Sequence, residues 1–197
     1  TVAIGYKSLE ALTSGPTNTA VGFEALKSND TGEGNVAIGY RALDANDGGN
    51  VNVAIGVDAL GSYSGSYSVA IGREALRDVA SGNGHTAIGL GALAGVTSGV
   101  NNTAVGYVAG NDITSGNYNT LMGYNAGSKL TTASACVAIG QGAMMTHTTG
   151  GSNIAIGHNA FVDSDAGSNS LSSADNIFIG QDAGGGTYAN AESSEKH

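Results

Sequence analysis

Apolar residues in this chain come in short bursts that alternate with alanine and end at glycine, with no helical stripe between them. Val2-Ala3-Ile4-Gly5, Thr19-Ala20-Val21-Gly22, Val36-Ala37-Ile38-Gly39 and Val53-Ala54-Ile55-Gly56 open the series. Val69-Ala70-Ile71-Gly72, Thr86-Ala87-Ile88-Gly89, Thr103-Ala104-Val105-Gly106 and Thr120-Leu121-Met122-Gly123 continue it. Val137-Ala138-Ile139-Gly140, Ile154-Ala155-Ile156-Gly157 and Ile177-Phe178-Ile179-Gly180 complete it. Polar positions are as regular: Asn18, Asn35, Asn52, Asn102, Asn119, Asn153 and Asn176 each precede a burst, replaced elsewhere by Ser68, His85 or Cys136. The burst glycines are 17 residues apart, except for 16 from Gly56 to Gly72 and 23 from Gly157 to Gly180. Three residues after the glycine stands an alanine (Ala25, Ala42, Ala59 and so on, with Ser8 first), and ten after it a second glycine such as Gly15, Gly32 or Gly99.

A unit this short has no room for a strand and a helix. Val, Ile and Thr favour strands, while the glycines and the Asn, Asp and Ser clusters mark turns. Repetition at a fixed short period is the signature of a solenoid, in which each unit contacts its neighbours above and below. The pattern therefore predicts an all-β, parallel β-solenoid with about 17 residues per coil. The repeat spans 1–184, with an inserted surface loop at 162–175 in the penultimate coil and an exit segment at 185–197. Equal residues stack in columns. The asparagines suit side-chain ladders, and the glycines suit corners that need positive φ or close backbone approach. At roughly 4.8 Å per coil, the rod is about 50 Å long.

Side chains alternate faces along a strand, so Val36 and Ile38 point one way and Ala37 the other. Two geometries fit. Alanine can line a thin coil, closed by the second alanine column, leaving Val and Ile as an apolar stripe outside. Alternatively Val and Ile turn inward, and a monomer suffices. The first is the expectation adopted. Each Val or Ile left in water forgoes roughly 1.5–3 kcal/mol, and a contiguous stripe calls for cover by another chain. The expected chain–chain interface is Val2, Ile4, Val36, Ile38, Val53, Ile55, Val69, Ile71, Val137, Ile139, Ile154 and Ile156.

Composition narrows the function. Glycine contributes 33 residues and proline one, without a triplet period, which excludes collagen. Charged residues are only 12%, so neutral Asn, Ser, Thr and Gly must solvate the surface. The net charge is −9 and the seven basic residues are scattered singly, which gives nucleic acid and anionic membranes no basic patch to bind. No apolar run is long enough to span a bilayer, so direct membrane insertion is not expected. The single cysteine, Cys136, rules out a disulfide framework within the chain.

Candidate chemistry is sparse. Asp163 and Asp165 with Gly167 resemble part of a calcium loop, but the closing bidentate acid is missing. His85, His147, His158 and His197 lack metal-ligand spacing, and Cys136 has no neighbouring base to activate it. Gly184-Gly185-Gly186 does not link a strand to a helix, as a phosphate cradle would. Asn29-Asp30-Thr31 and Asn101-Asn102-Thr103 match the glycosylation sequon in a chain rich in both residues. No acid pair recurs on one face as glycoside cleavage requires. Neither an enzyme, a cofactor nor a metal is expected.

The Asn-Val-Ala-Ile-Gly core with its spaced alanine resembles the head repeats of trimeric autotransporter adhesins. It also resembles the Asn-Thr-Ala-Val-Gly-Tyr-x-Ala-Leu repeats of viral and bacteriophage tail fibres, from Thr1 to about Gly184. The 17-residue spacing, the aromatics after the glycine (Tyr6, Phe23, Tyr40, Tyr107, Tyr124) and the Ala-Leu pair lean toward the viral form. The resemblance implies a parallel homotrimer of left-handed β-rolls with the Val/Ile face at the trimer axis. It also implies a virion location and attachment to a host-surface receptor such as a glycan or an outer-membrane component, or, for an adhesin head, a place on the bacterial surface. Leu121-Met122 and Phe178 depart from the pattern and predict local repacking. Thr1 begins inside a motif without a polar capping coil, which fits a piece of a longer fibre. The inserted loop, with Asp163, Asp165 and Asn169, is the expected receptor contact, because repeat proteins place binding on such insertions. A third alternative, an ice-binding solenoid, is weakened because Thr19, Thr86, Thr103 and Thr120 interrupt a column otherwise Val or Ile.

Overall fold

The computed structural model describes residues 1–79, 81–162 and 172–185. Each apolar burst forms a three-residue strand: β1 (Val2–Ile4), β2 (Thr19–Val21), β3 (Val36–Ile38), β4 (Val53–Ile55), β5 (Val69–Ile71), β6 (Thr86–Ile88), β7 (Thr103–Val105), β8 (Thr120–Met122), β9 (Val137–Ile139), β10 (Ile154–Ile156) and β11 (Ile177–Ile179). They make one 11-stranded sheet in sequence order, every pair parallel. The register is that of the repeat: Val36 faces Val53, Ala37 faces Ala54 and Ile38 faces Ile55. It survives both irregular steps, since Val53 pairs with Val69 across the short coil and Ile154 with Ile177 across the long one. The chain is thus a parallel β-solenoid, and the extra residues of the last step leave the ladder unbroken.

Hydrogen bonding between coils explains why so short a strand persists. The Val36 amide donates to the Asn52 carbonyl at 2.8 Å, and the Gly39 amide to the Val21 carbonyl of the preceding coil at 2.9 Å. Each coil therefore donates both up and down, which satisfies strand groups that would otherwise be orphaned in the interior. Glycine ends the strands from β1 to β10 because the next coil leaves no room for a side chain. At Gly39 φ is 140°, and a Cβ there would lie 2.5 Å from the carbonyl oxygen of Gly56.

The coil then turns through two left-handed positions, two and four residues after the glycine. Glu24 and Leu26 have φ of 54° and 50°, Arg41 and Leu43 of 51° and 53°, and the same pair recurs at Asp58 and Leu60. A non-glycine residue there is strained by roughly 1–2 kcal/mol. The offset lies in what the turn does with the leucine: Leu26, Leu43, Leu60, Leu76 and Leu93 are fully buried, each gaining about 1.5–3 kcal/mol. Their amides also reach the next coil, Leu43 donating to the Ala59 carbonyl at 2.9 Å. A third left-handed corner precedes the asparagine column, at Thr17, Val51, Tyr67, Asn101 and Tyr118 among others.

The core is a stack of columns. Strand alanines (Ala20, Ala37, Ala54, Ala70, Ala87, Ala104, Ala138, Ala155) are fully buried, as is the second alanine column from Ala25 through Ala160. Alanine lines the coil, as expected from strand alternation. The leucine column beside it was not anticipated as core, because leucine at positive φ is not a residue that propensity places there. A further inward column, seven residues after the glycine, holds Tyr63, Val79, Val96, Ile113 and Leu130, all buried.

Candidate assembly face and interior ladders

Inward alanines leave the flanking strand residues outside. None of the twelve expected interface residues is buried: Val2, Ile4, Ile38, Ile55 and Ile71 are exposed, and Val36, Val53, Val69, Val137, Ile139, Ile154 and Ile156 are half-buried. Because the strands are in register, these side chains form two parallel columns along the rod. The residue after the glycine, two past the last strand residue, extends the apolar surface. Tyr6, Phe23 and Tyr40 stack with centroids 5.1 and 5.3 Å apart, and Tyr107 and Tyr124 at 5.2 Å, the spacing the coil rise imposes. All five rings are exposed. Between the stacks the column holds Val57, Arg73 and Leu90, so the aromatic ladder falls into two blocks.

Inside, the asparagines form the expected ladder. Asn18 Oδ1 accepts from the Asn35 backbone amide at 2.9 Å, and its Nδ2 donates to the Gly32 carbonyl at 2.7 Å. Asn35 repeats this with Asn52 at 2.9 Å and Gly49 at 2.8 Å. Each fully buried side chain thus satisfies one donor and one acceptor of the next coil, which a hydrophobic residue could not do. A second ladder runs along the outer corner, where the Glu33 amide donates to Asn50, Asn50 to Ser66 and Ser66 to Asn83. The sequence signal for it was the Asn/Ser column two residues before the ladder asparagine. That column is less uniform, holding Pro16, Glu33 and Val100 as well.

Where a column residue changes, a residue elsewhere in the coil compensates. Ser68 is too short to span to the next coil. The buried Tyr63 hydroxyl takes the missing amide's place, bonding the Ser68 hydroxyl at 2.6 Å and donating to the Gly82 carbonyl at 2.9 Å. Burial pushes the Tyr63 phenol upward, opposed by the Ser68 bond. Leu121 replaces a strand alanine, and its branches occupy the space of two missing leucines. A Cβ on Gly110 would lie 2.6 Å from Leu121 Cδ1, and one on Gly127 2.8 Å from Cδ2. Phe178 likewise fills the space over Gly184 and packs on Phe161 with centroids 4.5 Å apart and the rings tilted by 36°. The repacking expected at Leu121 and Phe178 is therefore an exchange of volume that keeps strand register.

Charges lie outside. Lys27 pairs with Glu24, Arg41 with Asp44, Arg77 with Glu74 and Asp78, and Lys129 with Asp112. A shallow notch of about 330 Å³ sits over Ala94 and Gly95, lined by Arg77, Asp78, Asn111, Asp112 and Thr114. Its charged groups are those just named, already paired.

Other candidates from the sequence fall as follows. Cys136 is buried in the asparagine column, its amide donating to Asn119 at 2.9 Å, and burial raises its thiol pKa, away from nucleophilic use. Among the described residues no group of three metal-ligating side chains converges, and no helix is long and apolar enough to cross a membrane. Asn29 of the first sequon is fully buried, whereas Asn101 of the second is exposed. Asp163, Asp165 and Asn169, with most of the inserted loop, lie outside the described residues. Comparison with known proteins found no matching family model, curated protein or solved structure.

Proposed function

We propose that this chain is a structural fibre segment of a viral tail fibre or receptor-binding protein, working as a parallel homotrimer of left-handed β-rolls. The observation that carries the reading is the Val/Ile stripe on the outer face of the strands, exposed or half-buried along its length and continued by the stacked aromatics. An isolated coil gains nothing from it, whereas further copies in parallel would cover it along the full rod. The repeat's resemblance to viral fibre motifs supports the location on a virion and attachment to a host-surface glycan or outer-membrane component. The rod itself supplies length and stiffness, and a trimer would present any contact in three copies. A bacterial adhesin head is the same architecture in another setting. No reaction is assigned to it.

Sedimentation equilibrium of this segment tests the reading. The expected result is three times the chain mass, independent of salt, since apolar contacts hold the assembly. A stable monomer would overturn it and return attention to the outward-facing Thr86, Thr103 and Thr120, of which Thr120 is exposed and the other two half-buried, as an ice-binding surface.

A further inference from the structure

The asparagine ladder is interrupted at two successive coils, by Ser68 and then by His85. Tyr63 repairs the first break. The second is filled by an imidazole that is 1% exposed. His85 Nδ1 accepts from the Asn102 amide at 3.3 Å, doing the work of an asparagine oxygen. That bond assigns the proton to Nε2, which makes no hydrogen bond of ordinary geometry. The acceptor acting on it is the Gly99 carbonyl, the group an asparagine would engage. Above, the Ser68 hydroxyl accepts from the His85 amide at 3.1 Å.

We propose that His85 is an acid-operated break point in the rod: protonating it opens the contact between β6 and β7 while the coils on either side stay folded. A second ring proton would sit on Nδ1, facing the Asn102 N–H donor, so the ladder bond is lost and two donors oppose each other. The new charge would be buried without a counter-ion. Among the described residues, the other titratable group of this part of the interior is Tyr63, neutral and held so by burial. The charged groups of these coils, Arg73, Glu74, Arg77 and Asp78, pair with one another on the outside. Burial accordingly holds the His85 pKa below its ordinary value, only partly opposed by the Gly99 carbonyl. His147 differs, because its Nε2 lies 2.9 Å from the Gly150 carbonyl and can donate there in the charged form. Opening stays local because a solenoid coil contacts only its neighbours.

The sign follows from the lowered folded pKa. Above about pH 6.5 both closed and open states hold neutral histidine, and pH has no effect. Below it the open state binds a proton that the closed state refuses, so opening becomes about tenfold more favourable per pH unit until the folded pKa is reached. Hydrogen exchange of the intact assembly, read by mass spectrometry and corrected for the chemical exchange rate, measures this at pH 7.5 and 5.0. The expected result is faster opening in peptides covering Thr86 to Val105, with no change around Val36 or Val53. His85→Asn, which installs the column residue, should abolish the acid effect and leave the neutral-pH rates unchanged or slower. Acid opening that persists in His85→Asn, centres on His147, or spreads evenly along the chain would overturn the proposal, as would its absence in the unaltered protein.

Discussion

Leucine at φ near 50–55° is a local conflict that the coil resolves by burial, and Tyr63 is the same logic applied to a polar group. The tyrosine hydroxyl reaches a carbonyl that would otherwise have no donor, in the one coil that is a residue short. Tyr63→Phe removes the oxygen and keeps the ring, leaving both the Gly82 carbonyl and the Ser68 hydroxyl without that partner. The expected loss is about 1–3 kcal/mol of unfolding free energy, measured by denaturant titration. Tyr67→Phe, at an exposed hydroxyl, should change it by less than about 0.5 kcal/mol. Equal effects from the two substitutions would mean that the Tyr63 hydroxyl is not a ladder member.

For the elements, the strand and the turn leucine behave as one packing unit spread over neighbouring coils. Leu121→Ala should destabilise by about 2–5 kcal/mol by opening a cavity beside Gly110 and Gly127. Gly127→Leu alone should destabilise by about 1–3 kcal/mol through overpacking. Combined with Gly110→Leu, the three changes restore the common pattern, and most of the lost stability should return. Denaturant midpoints of the set report the coupling, and simple additivity would refute the exchange of volume. This pairing marks the limit of what the sequence could be made to say. Strand position, parallel register, corner glycine and the Asn ladder all follow from period and alternation, whereas alternation left two choices for the inward face, of which alanine is the one observed. The leucine column did not follow, because three of its positions are glycine and its backbone is left-handed, so neither propensity nor alternation flags it. Nor could Tyr63 be matched to Ser68, five residues away, without knowing that both point into the same coil. The residues proposed for receptor contact, Asp163, Asp165 and Asn169, were legible only as an insertion, since no column constrains them.

For the whole molecule, the outer face and the core are chemically separate. The stripe residues lie on the strand face opposite the buried alanines, so charging an exposed one should leave the coil intact while weakening assembly. Ile55→Glu is expected to shift the sedimenting species toward the single-chain mass with an unchanged far-ultraviolet circular dichroism spectrum. A persistent full-size assembly would place the contact surface elsewhere on the rod, away from the strand face. Charging a core position such as Ala54 should instead unfold the coil, since a buried unpaired carboxylate costs several kcal/mol.

A perfectly uniform array carries no record of position: any coil could pair with any other, and a looped-out coil would leave the ladder looking whole. The exchanges at Tyr63 with Ser68, Leu121 with Gly110 and Gly127, and Phe178 with Gly184 remove that ambiguity. Each is a two-part key whose halves fit only at one level of the stack, so a slipped pairing sets a large side chain against another or leaves a void. The irregular coils thus act as graduations on a ruler. They fix which level is which for the folding chain.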